Sequence, residues 1–470
     1  MTTNPTESLI AQLECKHKEK VQELFDNGKV LQFIDNFLSK EIVGEEYNRL
    51  LIYLSLLNKP SQIFLLGESA VGKTYLVNNI LRAIPKWRIE ELGGSSESVM
   101  KYFLADIKDT VDIIYLQEYS GSNESTRQQL RLTSGYDGGY SWYVCVQDEI
   151  TKKWKKDKIE VGTISLITTT ARGIDTQEET RAVAVYPDPT ANQTQSVSNK
   201  TMKDFTQRHI KKDLLHDQEI CHVIYENVRG LDLIPIFPYG TNPIIDGILK
   251  IPFNTIKVRR ELHKLIFIAE AITKLNHKKR AKFSIDISLD EGGLERKRFV
   301  LMHLEDLLTA IKLLEGKTDG SLTGLTASEN RVLDLIENLS KNKSEGSTFE
   351  GEPAYTPRII YKENLKTNIN YSNKHIRRIL NSLEDKGYLS IKPNPEDKRG
   401  FIFLFENKKK EFFEIDTSKT KECFDKWILN QDNEVQDYLS TDENLPNYSI
   451  INPQYLSMSA CPQFIGESTK

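Results

Sequence analysis

The chain has 470 residues, a length that predicts two or three domains. Hydrophobic residues make up 39% and charged residues 28%, enough apolar material for a sizeable core, and this excludes wholesale disorder. Sixty-three basic side chains against 67 acidic ones leave a net charge of -4, which excludes a globally basic polyanion binder; any nucleic-acid affinity must come from local basic islands.

No run of 18 apolar residues appears, and Met1-Thr-Thr-Asn-Pro5 offers neither a basic nor an apolar leader. The five cysteines (Cys15, Cys145, Cys221, Cys423, Cys461) are scattered and never spaced as CxxC, which argues against a disulfide scaffold and a zinc module. The expectation is a soluble, cytoplasmic, nucleoid-associated protein.

In chain order, residues 1–40 read as an amphipathic helical extension. Residues 41–198 alternate helix and short apolar strand, the rhythm of a doubly wound αβα sandwich with a parallel sheet. The predicted strands are Gln62–Leu66, Trp87–Leu92, Asp112–Leu116, Thr163–Thr168 and Ala182–Tyr186. A β-hairpin interrupts them at about 138–161. Residues 199–316 read as a helical lid, with a long amphipathic stretch from Val258 to Lys282, and 317–325 as a linker. A small α+β module follows at 326–410, then a polar, partly disordered tail at 411–470.

Gln62-Ile-Phe-Leu-Leu66 runs into Gly67-Glu68-Ser69-Ala70-Val71-Gly72-Lys73-Thr74, and a helix follows. This is a GxxxxGK[ST] phosphate loop between the strand and helix that give it meaning. Backbone N–H groups from Gly67 to Thr74 converge on phosphates, and the helix N-terminus adds positive charge. Lys73 is placed for the terminal phosphates and the Thr74 hydroxyl for Mg2+, so ATP and Mg2+ are the expected cofactors. A chance glycine turn is the bland reading, and the flanking strand and helix argue against it.

Asp112-Ile-Ile-Tyr-Leu-Gln117-Glu118 is the second strand such a site needs, ending in an acid beside the attacking water. Glu118 is the expected base. Gln117 stands where an Asp ordinarily orders the metal's waters, and its amide brings no charge there. On the next strand, Thr168, Thr169 and Thr170 are candidates to contact the γ-phosphate, with Thr169 the first choice. Arg181 and Arg260 are guanidinium candidates for the charge that develops in phosphoryl transfer. A surface salt bridge is the plainer reading of each.

Together the phosphate loop, the Gln-Glu strand, the Thr strand, Arg181 and the helical lid resemble the AAA+ ATPases over residues 40–315. The hairpin and the Arg260-Glu-Leu262-His-Lys-Leu265 helix entry narrow the likeness to minichromosome maintenance (MCM)-like helicase motors of phages and mobile elements. The resemblance implies a self-associating ring, most simply a hexamer, in which Arg181 reaches the neighbour's nucleotide and Arg260 folds down from the lid. The hairpin carries Lys152, Lys153, Trp154, Lys155, Lys156 and Lys158, lysines for a nucleic-acid backbone around an indole that can stack.

Residues 326–410 hold 16 basic and 12 acidic side chains. Helices at Ala327–Ile336, Lys362–Thr367 and Lys374–Lys386, then two extended pieces, resemble a winged helix-turn-helix domain. Lys374, Arg377 and Arg378 would lie on its recognition helix, with Lys398 and Arg399 on the wing. The expected partner is DNA, single-stranded in a central channel and duplex at the winged helix, and the expected activity an ATP-driven helicase in replication. The alternative is an Orc-type initiator that binds duplex DNA without unwinding it.

Overall fold

The computed structural model describes residues 5–58, 60–67, 70–93, 97–119, 124–134, 139–147, 154–170, 181–189, 191–207, 214–251, 258–288, 294–316, 327–342, 347–349, 352–366, 371–385, 388–394, 401–405 and 413–440. They fall into two compact units: 1–251 with 259–316 and 413–470, and 252–258 with 317–412. No described helix is long and apolar enough to cross a membrane.

The first unit begins with helices α1 (Pro5–Asp26), α2 (Val30–Ser39) and α3 (Glu46–Leu57). Strand β1 (Gln62–Leu66) is buried at every position, as expected of a strand covered on both faces. It is followed by α4 (Lys73–Leu81), β2 (Ile89–Leu92), α5 (Glu97–Ile107), β3 (Ile113–Leu116) and α6 (Glu124–Thr133). The hairpin β4 (Tyr140–Gln147) and β5 (Trp154–Val161) precedes β6 (Ser165–Thr170) and β7 (Val183–Val185).

Strands β2, β3, β6, β1 and β7 form one parallel sheet in that spatial order. The Thr strand β6 therefore lies between the loop strand and the acid strand, pairing Leu65 with Thr169 on one side and Leu116 with Thr168 on the other. Two strand spacings put the end of β3 about 10 Å from the end of β1. That gap is wide enough for a phosphate and a water between Lys73 and Glu118.

Helices α7 (Ala191–Thr206) and α8 (Leu215–Arg229) come next. Helix α8 does not stand apart as part of a lid. Its Arg229 Nε and Tyr225 Oη donate to Asp112 Oδ2 (2.6 and 3.2 Å) at the head of β3, and Glu226 accepts from Trp87 and Arg88. Short β8 (Ile234–Ile236) and β9 (Leu249–Lys250) lead to α9 (Val258–Leu275).

The predicted helix over Val258–Lys282 stops seven residues early. Arg280 and Asn276 both donate to the buried Asp306 carboxylate (2.6 and 3.3 Å), which fixes the chain in a turn. An antiparallel hairpin of β10 (Lys282–Ser288) and β11 (Leu294–Leu301) follows where helix was expected, then α10 (Leu304–Gly316). Phe283 and Phe299 face each other across its register, an alternating period of two rather than 3.6.

Within the polar tail expected from 411, residues 413–440 are folded. Strand β16 (Glu414–Ile415) pairs with β9, and helices of Thr420–Leu429 and Asn433–Ser440 bury Cys423, Phe424, Trp427 and Leu439 in the first unit.

The second unit contains α11 (Ala327–Asn342), hairpin β12 (Ser347–Phe349) and β13 (Glu352–Tyr355), α12 (Pro357–Lys366), α13 (Asn373–Asp385), β14 (Leu389–Pro393) and β15 (Phe401–Phe405). Its sheet runs β12-β13-β15-β14 and its core joins Leu333, Ile336, Ile360, Ile376, Leu380 and Phe403. Helix α12 starts five residues before the predicted Lys362. Thr356 Oγ1 caps it by accepting from the Ile359 N–H (3.3 Å), and Pro357 fits a first helical turn that needs no N–H.

Candidate nucleotide site

The site is built where β1, β3 and β6 end. Gly72 adopts φ +92, a left-handed turn that a side chain would strain, and α4 starts at Lys73 immediately after it. Lys73 is 8% exposed and its Nζ donates to the Gly67 carbonyl (2.8 Å). Burial pulls the Lys73 ammonium below its ordinary pKa, while the Glu118 carboxylate works against that shift. Lys73 and Glu118 thus feel each other across the gap left by β6. Glu68 and Ser69 lie outside the described residues; Ala70 and Val71 form the turn into Gly72.

Strand alternation puts Tyr115, Gln117 and Thr169 on one face of the sheet. Thr169 Oγ1 donates to the Gln117 carbonyl (2.5 Å), tying the Thr strand to the peptide that carries Glu118. Thr168 Oγ1 instead donates to the Leu116 carbonyl (2.7 Å), and both threonines are buried. Gln117 and Glu118 are exposed at the strand's end, as is the Thr74 hydroxyl-bearing residue at the start of α4. Arg181 is exposed just ahead of β7, and Arg260 is exposed in the first turn of α9.

Sequence reading missed two neighbours of this cluster. The Tyr115 phenol lies beside the Thr74 hydroxyl, and Glu91 on β2 is its partner in the strand register. A tyrosine inside the otherwise aliphatic run Ile113–Leu116 was the available signal.

A cavity of about 460 Å3 adjoins the loop, lined by Glu41–Val43, Ala70–Gly72, Tyr75 and the segment Pro187–Pro189 with α7. That is a volume suited to a small organic ligand. The Gly44-Glu45 turn shapes it. Both residues have positive φ, and a Cβ at Gly44 would collide with Gln193 Oε1. Gln193 donates to the Val43 carbonyl (2.6 Å), while Glu45 accepts from the Asp188 N–H (2.7 Å) and from Asn48 (2.5 Å). Burial raises the Glu45 carboxyl's pKa.

Oxygen donors stand beside the loop: the Thr74 hydroxyl and the Glu118 carboxylate. Among the described residues no cluster of three His, Cys, Asp or Glu could hold a metal alone. An ion here would lean on phosphate oxygens, which is how Mg2+ is held in nucleotide sites. The donor set fits that ion.

The hairpin's residues do not sit where expected. Strand β5 begins at Trp154, so Trp154, Lys155, Lys156 and Lys158 belong to a strand rather than to the tip; Lys152 and Lys153 lie outside the described residues. The register pairs Cys145 with Lys156 and Tyr143 with Lys158, which with Trp154 two residues before Lys156 gathers these side chains on one face. That face is exposed, Trp154 by 70% and Tyr143 by 58%, and Lys156 Nζ sits 3.8 Å from the Tyr143 ring centre. The opposite face packs Tyr140, Trp142 and Ile159 on the core.

In the second unit Lys374, Arg377 and Arg378 are exposed on α13, which Ser372 Oγ caps by accepting from the His375 N–H (3.2 Å). Lys398 and Arg399 lie outside the described residues.

Residues 13–230 match a family model described as the MTBMA_p00010 P-loop domain. No curated protein matches the chain. The matched span takes in the phosphate loop and every strand of the parallel sheet. The chain therefore carries a P-loop αβα nucleotide-binding domain of the NTPase type.

Proposed function

We propose that the chain is an ATP-driven DNA motor, an MCM-like AAA+ helicase serving replication of a chromosome or mobile element. Backbone N–H groups of 67–74 and the Lys73 ammonium would hold the phosphates and the Thr74 hydroxyl would hold Mg2+, an ion that would supply positive charge beside the phosphate oxygens. Glu118 takes the proton of a water lying in the gap that β6 opens. Thr169, bonded to the Gln117 carbonyl, keeps that acid at a fixed distance from the loop. Arg181 from a neighbouring subunit and Arg260 stabilise the transferring phosphoryl group.

The observation that carries the motor reading is the exposed face of β4 and β5. In chain order this hairpin connects Glu118 to the Thr strand, so movement at the acid has a short covalent route to Tyr143, Trp154, Lys156 and Lys158. Lysines neutralise phosphates and aromatic rings stack on bases without sequence preference.

The order of elements in the second unit, with a basic helix α13 ahead of the β14–β15 hairpin, supports a winged-helix DNA module. That helix also favours the initiator as a second reading, because it would bind duplex DNA without any unwinding.

Purified protein is expected to hydrolyse ATP faster with single-stranded DNA and to displace a strand. Lys156→Glu with Lys158→Glu should abolish the stimulation and flatten the salt dependence of binding by about one unit of slope per lysine. Duplex binding with no stimulation and no displacement would overturn the motor and favour the initiator.

A further inference from the structure

The outer face of the β4–β5 hairpin carries Ser141 and Tyr143 on one strand and Trp154, Lys156, Lys158 and Glu160 on the other. Lys158 stands opposite Tyr143 and Glu160 opposite Ser141, so β5 runs ring, cation, cation, acid from its start.

These charges settle among themselves before any ligand arrives. The Lys158 ammonium donates to Glu160 Oε1 (2.5 Å), two residues along the same face. The lysine directly across from Tyr143 is therefore turned toward the acid. Lys156, the diagonal neighbour, covers the ring instead, with its Nζ 3.8 Å from the ring centre. A cation in that position is held by the ring's negative face, weakly at an exposed site, and closes that face to stacking.

Glu160 also sets the direction from which a polyanion comes. Its carboxylate repels phosphates at the Ser141 end of the face, which leaves the approach at Trp154, 70% exposed. A strand arriving there meets Lys156 before it reaches the level of Tyr143.

We propose that Lys156 is a charge-operated cover on Tyr143, shielding the ring in the free chain and releasing it when a phosphate takes the ammonium. This rests on the DNA reading above and adds the order in which the parts of the face engage. Trp154 stacks a base at once. Tyr143 stacks one only after a phosphate has drawn Lys156 off its ring. The face thereby favours a charged polynucleotide over an isolated base, which a bare ring would not do.

The test measures binding to the full chain of two fluorescent single strands of one thymine sequence. One has a phosphodiester backbone and the other an uncharged methylphosphonate backbone. Lys156→Met keeps the side chain's length and removes its charge. It should weaken the phosphodiester probe and lower its salt slope by about one unit. The neutral probe should instead bind about threefold more tightly, the scale of an exposed cation–π contact. That gain should vanish in the Tyr143→Leu background, where no ring remains to uncover. Lys158→Met, which uncovers no ring, should weaken the phosphodiester probe without tightening the neutral one. All these side chains are exposed, so the variants leave the core intact. Loss on the charged probe with no gain on the neutral one would overturn the cover and leave Lys156 a plain phosphate contact. Charged-probe binding indifferent to Trp154→Leu, Lys156→Met and Lys158→Met alike would overturn the DNA reading of this face, and the cover with it.

Discussion

Strand β3 is finished differently at its two ends. At its head, Asp112 is 1% exposed and accepts from both Arg229 and Tyr225, with Arg88 and Glu226 completing the network. At its tail, three residues on, Tyr115 is buried with its phenol beside the Thr74 hydroxyl, and Gln117 and Glu118 are exposed. Buried charge that is fully paired holds helix α8 to the sheet; at the other end exposed polar groups stand within reach of solvent and ligands. The same strand is scaffold at one end and, in the proposed function, the place of chemistry at the other.

The contrast breaks most visibly at Glu118. Replacing it with Gln should lower ATP turnover about a thousandfold, within the range for losing a general base, while thermal stability and nucleotide affinity stay put. A stability loss there would mean that the tail is structural too. At the head the outcome is reversed. Asp112→Ala strands Arg229 and Arg88 beside a vacated buried site and should cost about 3 kcal/mol in denaturant unfolding, with residual folded protein binding nucleotide normally.

The smallest effect extends the contrast beyond β3. His277 packs on Phe25 of α1 and its Nδ1 donates to the Lys274 carbonyl (2.9 Å). Burial pulls this imidazole down to about 4 from 6.5, with Lys282 and Lys278 adding to the shift and Asp26 opposing it. Between those values the unfolded chain takes up a proton that the folded one refuses. Its contribution is therefore full above pH 6.5 and fades as pH falls, by about 2 kcal/mol between pH 7 and 5. His277→Gln should shrink the pH dependence of unfolding by that amount and leave the pH profile of turnover unchanged.

The phosphate loop, all of the core strands and the inserted hairpin were legible in the sequence, because short apolar runs bounded by glycine or polar turns report strands directly. That Thr168, Thr169 and Thr170 close a strand of the sheet was legible from position alone. What stayed hidden depended on partners distant in the chain. The end of α9 at Leu275 is set by Asp306, and no local breaker marks it. Tyr115 read as an ordinary strand aromatic until Thr74 came to lie against it, and Glu91 gained meaning only through strand order. The Lys-rich stretch was read by composition, which cannot say that Trp154 opens a strand. That single boundary turns a tip into a face.

The return of residues 413–440 to the first unit changes what the second unit is. The chain leaves the first unit after 316 and re-enters it at 413, where β16 pairs with β9 inside that unit. A single protease cut at 317–326 would therefore leave two polypeptides that still co-purify, because Phe424, Trp427 and Leu439 stay buried in the body that the first fragment builds. In chain order the module at 327–405 is an insertion between two stretches of the first unit.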